Sequence, residues 1–226
     1  RRPCSATQIK NVPRGRIFRR FGINSKNLAH MRRDEERMEE KEREALRRLI
    51  AGVMPGRENA LVFGEGPHNP KLMLIGEAPG EQEALAGRPF IGKAGKNLDE
   101  MLERCGLTRA QIYIANAVKF RPVKQSKAGR VVNRPPTPEE IGLYRPWLMR
   151  EISIVHPKLI ATLGNVPLRS LTGRPLTIGE LHGKLLSENN LRIFPMYHPA
   201  SMIYNPSLRD IFEEDLRVLA GIIREG

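Results

Sequence analysis

The chain has 226 residues, 40% of them apolar, and carries 38 Lys and Arg against 25 acids for a net charge of +13. That is room for a sizeable domain with an appendage, and such an excess of positive charge points to a polyanionic partner, nucleic acid first. The longest apolar runs are far short of a membrane span, and the two cysteines, Cys4 and Cys105, form no CxxC or His/Cys cluster, so neither a disulfide scaffold nor a zinc site is supported.

Residues 1–33 hold ten Lys or Arg and no acid, with Pro3, Pro13, Gly15 and Gly22 interrupting any periodicity. They read as a mobile arm, either touching DNA or passively solubilising, and the acid-free, Arg-rich text also resembles an organelle transit peptide. From residue 32 to 51 the text is helical, with Glu39 and Arg43, then Glu44 and Arg48, at supportive i,i+4 spacing. Met38, Ala45, Leu46 and Leu49 give it only a thin apolar stripe, so a solvated helix is expected, stopped by Gly52, Pro55 and Gly56. The domain division drawn from this is a basic arm with a charged helix over residues 1–56 and a folded domain over 57–226.

Residues 61–63 read as an edge strand, and the apolar run 72–75 as a buried strand delivering the loop Gly76-Glu77-Ala78-Pro79-Gly80. Two glycines and a proline fix the path of this loop so that backbone N–H groups can face a ligand. Glu77, Glu81 and Glu83 argue against phosphate, because phosphate-cradling loops offer Lys and N–H groups instead of negative charge. Residues 94–105 form a helix with Leu98, Met101, Leu102 and Cys105 on one face and Gly106 at its C-terminal cap. A strand over 113–118 is interrupted by Asn116, and a basic, flexible insertion follows over 119–134.

Thr137-Pro138-Glu139-Glu140 combines an N-cap threonine, proline at the first helical position and glutamate at the third, which starts a helix running to Val155 before Pro157. Strands over 158–163 and 192–197 follow, the first turning at Gly164-Asn165 into a short helix, the second delivering His198-Pro199-Ala200-Ser201. A last helix opens at Ser207 and Asp210. The alternation predicts an α/β fold, a three-layer α/β/α sandwich around a mostly parallel sheet, with ligands bound beyond the strands' C-terminal ends. The Gly76–Gly80 loop, Asn116 and His198 all fall at such ends. A carboxylate loop, the Phe90 ring, the Asn116 amide and the His198 imidazole could together surround one flat polar ring.

At this point GEAPGEQE, GRPFIGKAG, YIANAVKFRP, NRPPTPEEI, LIATLG and MYHPAS, in this order, resemble the family 4 uracil-DNA glycosylases from about residue 61 to the C-terminus. The resemblance implies an enzyme that flips uracil out of DNA and hydrolyses its N-glycosidic bond without a divalent metal. It implies Glu77, Ala78, Pro79 and Gly80 as the pocket wall, Phe90 as the stacking ring and Asn116 as the reader of the uracil edge. It further implies Glu83 as the acid serving water or the sugar cation, Asn133 as a second active-site asparagine and His198 as the group facing uracil O2. Ser201, Met202, Ile203 and Tyr204 occupy the stretch that wedges into the duplex. Uracil-containing DNA, single- or double-stranded, is the implied partner, acted on by a monomer inside the cell, in the cytoplasm or nucleoid and at no membrane.

Two departures qualify the resemblance. The family holds a 4Fe-4S cluster on four cysteines, and two of those positions are here Phe120 and Tyr144, so the expectation is no cofactor and aromatic packing in the cluster's place. The insertion 123–132 contains no histidine, unlike a superfamily branch that becomes joined covalently to the deoxyribose, so ordinary turnover is expected. Its Lys124, Lys127 and Arg130 suit phosphate contacts. Two functions remain open at this stage, a working glycosylase and a catalytically weak descendant that binds DNA or a replication partner; activity on another deaminated base is a third.

Overall fold

The computed structural model describes residues 25–53 and 61–225. Internal contacts divide the chain into residues 1–41 and 42–226. Helix α1 (Ser25–Val53) starts earlier than residue 32, because every proline and glycine of the basic segment lies before Ser25. The rest of the predicted arm falls outside the described residues.

Within the second unit, the end of α1 is more than a solvated helix. Leu46 and Ile50, one turn apart, are buried against Leu61, Val118, Phe120, Tyr144 and Ile154. Residues 61–63 do not form the expected edge strand. Val62 N–H donates to the Lys119 carbonyl at 2.7 Å, and one antiparallel bridge joins Glu65 to Ile114. Gly66, at φ 141°, turns the segment away before a ladder can extend.

The central sheet is built from β1 (Leu72–Gly76), β2 (Ile112–Asn116), β5 (Ile160–Leu163), β6 (Leu186–Glu188) and β7 (Leu191–Met196), in the order β2-β1-β5-β7-β6. All pairs are parallel except β6 with β7. The helices between are α2 (Glu81–Ala86), α3 (Lys93–Arg104), α4 (Pro138–Val155), α5 (Asn165–Thr172), α6 (Ile178–Leu181), α7 (Ser201–Tyr204) and α8 (Leu208–Glu225).

Side-chain alternation on β1 decides the layers. Leu72 and Leu74 face a core closed by Leu98 and Leu102 of α3 and Phe212, Leu216 and Leu219 of α8. Met73 and Ile75 face the opposite core, closed by Leu148 and Ile152 of α4 and Leu168 and Leu171 of α5. This is the three-layer α/β/α sandwich with a mostly parallel sheet. Helix α4 starts where the sequence places it: Thr137 Oγ1 accepts the Glu140 N–H at 3.2 Å and Glu140 Oε2 accepts the Thr137 N–H at 2.8 Å.

The insertion after β2 is ordered, against the expectation of a flexible stretch. β3 (Val123–Gln125) pairs antiparallel with β4 (Val131–Asn133), closed by a turn in which Ser126 N–H donates to the Arg130 carbonyl at 2.8 Å. Arg134 holds it to α4, its Nε donating to the Val123 carbonyl and its two Nη groups gripping Glu140 at 2.7 Å each.

Candidate active site

Because β1, β2, β5 and β7 run parallel, their C-terminal ends share one edge of the sheet, and the chain leaves that edge at Gly76, Asn116, Gly164 and just before His198. A cavity of about 290 Å³ opens there. Ala78, Gly80, Glu83, Phe90, Asn116, Asn133 and His198 all line it, so residues spread over the whole domain sequence meet at one place.

Gly76 shows why the pocket has this shape. A Cβ at Gly76 would stand 2.4 Å from Phe90 Cζ and 2.6 Å from Asn116 Oδ1, so only glycine lets the ring and the amide approach the strand end together. Phe90 itself sits at φ 55°, a conformation that costs a non-glycine residue energy. It is held from two sides. Arg109 Nη1 donates to the Phe90 carbonyl at 2.9 Å and Nη2 donates to the Pro89 carbonyl, while Glu65 and Asp99 fix the guanidinium. At Gly95 of α3 a Cβ would lie 1.9 Å from the Phe90 carbonyl oxygen, so that helix start also depends on a missing side chain.

Asn116 is buried at the end of β2, and its Oδ1 has no hydrogen-bond partner among the described residues. A buried, unpaired amide oxygen costs about 1–3 kcal/mol, which a ligand N–H placed in the cavity would return. His198 faces the Phe90 ring, centroids 5.8 Å apart. Its Nδ1 accepts the Ala200 N–H at 3.1 Å, which leaves the proton of the neutral ring on Nε2. Burial pulls its pKa from the ordinary value down to about 4, against an opposing pull from the Glu83 carboxylate. At neutral pH His198 is therefore an uncharged donor through Nε2.

The Glu83 carboxylate is gripped by three backbone N–H groups: Oε2 accepts from Gly80 at 3.1 Å, and Oε1 from Ile91 at 3.0 Å and Gly92 at 2.8 Å. It thereby binds the loop to the start of α3 while remaining on the cavity wall. Asn133 reaches the rim from β4. Arg121 Nε donates to Asn133 Oδ1 at 2.7 Å and Arg121 Nη1 to Glu81 Oε1 at 3.0 Å, which ties the hairpin to the acidic loop and turns the Asn133 NH2 toward Gly80.

The uracil DNA glycosylase superfamily profile matches residues 63–220 of this chain. The chain belongs to that superfamily. It is 42% identical over 170 residues to a type-4 uracil-DNA glycosylase of Sulfurisphaera tokodaii, the match covering 71% of this chain and 73% of the relative. A type-4 uracil-DNA glycosylase of Thermotoga maritima is 34% identical over 169 residues, covering 73% and 84%. A DNA polymerase of Bacillus phage SP01 is 30% identical over 161 residues, a match covering 71% of this chain and 16% of the polymerase. These similarities place the chain with the type-4 glycosylases.

Other sequence-predicted residues lie around the cavity without forming its wall. Pro79 is buried within the loop, and Glu77 is half-buried, its carboxyl pKa raised by loss of solvent. Lys124, Lys127 and Arg130 stand exposed on the hairpin. On α7, Tyr204 is 87% exposed and Ile203 faces outward with it, whereas Met202, read with them as a DNA-contacting residue, packs into the core between β7 and α8. A four-residue helix has one inward face, and Met202 takes it.

Phe120 and Tyr144 are buried with ring centroids 5.7 Å apart, inside the apolar cluster that Leu46 and Ile50 complete. These residues do not fit a four-thiolate cluster: Cys105 belongs to the core on the α3 and α8 side, and Cys4 lies outside the described residues. Sequence reasoning missed Arg109, Arg121 and Gly95, and it read Gly76 as a loop glycine without the close approach of Phe90 and Asn116. Gly95 and Arg121 left a signal only as members of the GRPFIGKAG and YIANAVKFRP motifs, and Arg109 left none.

Proposed function

We propose that this protein is a uracil-DNA glycosylase that flips uracil out of DNA and hydrolyses its N-glycosidic bond, the first step of base excision repair. The observation that carries the reading is the unpartnered, buried Asn116 Oδ1 beside the Phe90 ring and the Nε2 face of His198. Uracil presents N3–H to Asn116 Oδ1 and O4 to its NH2, while its face lies against Phe90. His198 Nε2–H donates to O2 as negative charge develops on the departing base, a bond that strengthens in the transition state.

Glu83 carries the complementary charge. With its oxygens fixed by three N–H groups, it stabilises the deoxyribosyl cation or orients the water that captures it, with no reorganisation during the reaction. Ala78 and Gly80 shape the wall, Glu77 and Pro79 set the path of the loop that carries them, and Asn133, aimed by Arg121, serves the rim. Lys124, Lys127 and Arg130 meet phosphates, and Ser201, Ile203 and Tyr204 press on the duplex as the base leaves it.

The same reading makes the enzyme independent of an iron–sulfur cluster, with Phe120 and Tyr144 supplying the packing. The reading takes the enzyme to act as a monomer. Among the described residues no helix is long and apolar enough to cross a membrane. The enzyme works where DNA is, in the cytoplasm or nucleoid, and the basic, acid-free residues 1–33 add nonspecific DNA affinity. The test is release of base from oligonucleotides carrying uracil, hypoxanthine, xanthine or cytosine. Uracil alone should be released fast; equal release of hypoxanthine would overturn the assignment of Asn116.

A further inference from the structure

Beneath the base pocket lies a set of buried polar groups that the chemistry above does not use. Lys119 is 0% exposed, and its Nζ stands 2.5 Å from Glu151 Oε2 of α4. The Tyr113 hydroxyl of β2 donates to the other oxygen of the same carboxylate at 3.1 Å. A fourth segment makes room for them: a Cβ at Gly64 would lie 2.5 Å from Glu151 Oε1 and 2.7 Å from the Tyr113 oxygen.

Stability alone is a weak reason to keep such a group. Taking two charges out of water is costly, and apolar residues of the same volume often replace a buried ion pair without loss. What an apolar residue at 119 could not do is bond the backbone. Lys119 Nζ donates its second hydrogen bond, 2.9 Å long, to the carbonyl oxygen of Asn116. Asn116 ends the edge strand, where the ladder to β1 stops, and the following N–H groups of Ala117 and Val118 bond back to Gly76 and Glu77. The backbone that carries the base-reading amide is thus fixed on one side by the acidic loop and on the other by the ammonium of Lys119.

We infer that Lys119, itself held by Glu151 and Tyr113, is a positioning residue for Asn116. It pins the Asn116 carbonyl so that the side-chain amide stays aimed into the cavity with Oδ1 at the Gly76 gap. The inference rests on the uracil-pocket reading, and small displacements of such a group are expensive, since about 1 Å of misplacement can cost a hundredfold in rate.

The test is a double-mutant cycle read by single-turnover uracil release. The paired variant Lys119→Met with Glu151→Gln removes both charges together and leaves Tyr113 an acceptor. With its fold confirmed by thermal unfolding, it should excise uracil about thirtyfold more slowly than wild type. In an Asn116→Ala background the same pair should cost less than about threefold, because the residue it positions is gone. An unchanged rate, or an equal fall in both backgrounds, overturns the inference. If the paired variant does not fold, Tyr113→Phe decides by the same cycle: a fall of several-fold confined to the Asn116 background supports the inference, and equal effects in both overturn it. Should folded wild type release no uracil, the pocket reading itself fails. The side-chain amide resonances of Asn116 then test the positioning alone, being one sharp pair in wild type and broadened or doubled in Tyr113→Phe if Lys119 sets the amide, and identical in both if it does not.

Discussion

The protonation of His198 fixes how excision responds to pH. Its pKa is lowered from an ordinary 6.5 to about 4, and the Ala200 N–H already occupies Nδ1. The working form is the neutral ring donating from Nε2, so the single-turnover rate should be flat between about pH 6 and 8 and fall only on approach to the lowered pKa. Stability follows the same sign. The unfolded chain takes up this proton first as pH falls, so the contribution is fully present above the ordinary value and is lost between about pH 6.5 and 4, to a total of about 3 kcal/mol at about 1.4 kcal/mol per pH unit. His198→Ala should erase that part of the pH dependence of unfolding. It should also slow the chemical step by on the order of a hundredfold or more, as for loss of one oxyanion donor, with little change in DNA affinity. Quench-flow cleavage of a labelled uracil oligonucleotide at saturating enzyme, from pH 5 to 8.5 as a rough working span, reads both effects. A wild-type rate that declines above the ordinary histidine pKa would show a charged acid at work and refute the neutral-donor account. A variant that keeps its rate and loses binding would place His198 in DNA anchoring.

Asn116→Asp should weaken uracil recognition, because a carboxylate cannot donate to O4, and Phe90→Ala should lose about 1 to 3 kcal/mol of stacking; single-turnover rates equal to wild type in both would refute the pocket. Purified protein should be colourless and free of stoichiometric iron, and Phe120→Ala should cost about 3–5 kcal/mol in denaturant unfolding, since it empties a buried site packed against Tyr144. Deleting residues 1–24 should make the salt dependence of duplex binding shallower by about 0.9 in log–log slope per lost phosphate contact, with the rate at saturation unchanged. Ile203→Ala with Tyr204→Ala should do the reverse, slowing cleavage in duplex more than in single strands at an unchanged slope.

The sandwich was legible because its signals are local. Apolar runs of strand length, the Thr137 to Glu140 capping box and Pro157 after α4 mark the element boundaries without tertiary information. The short edge elements were not. β6 is three residues before Asn189-Asn190, and the hairpin strands carry exposed Val, Lys and Gln, so neither shows a buried face whose period could be read. That Gly80, Glu83, Phe90, Asn116 and His198 meet at one cavity was legible through the resemblance and the place of their loops at strand ends. Its supports were hidden for a physical reason: Lys119, Arg109 and Arg121 are charged residues, which sequence patterning assigns to solvent, and each is used here to hold another residue's backbone or amide. Phe90 gave no hint of its left-handed backbone, which is imposed by Arg109 and the space at Gly95.

The most direct test is single-turnover release of uracil from an oligonucleotide with one uracil, by wild type and by Glu83→Gln, with DNA binding and thermal unfolding measured on the same samples. The account predicts an abasic product from wild type, and from the folded, DNA-binding variant a rate lower by on the order of a hundredfold, since a neutral amide cannot offset the charge of the sugar cation. Folded wild-type protein that binds uracil-DNA and leaves every base in place, or a Glu83→Gln variant as fast as wild type, would contradict it.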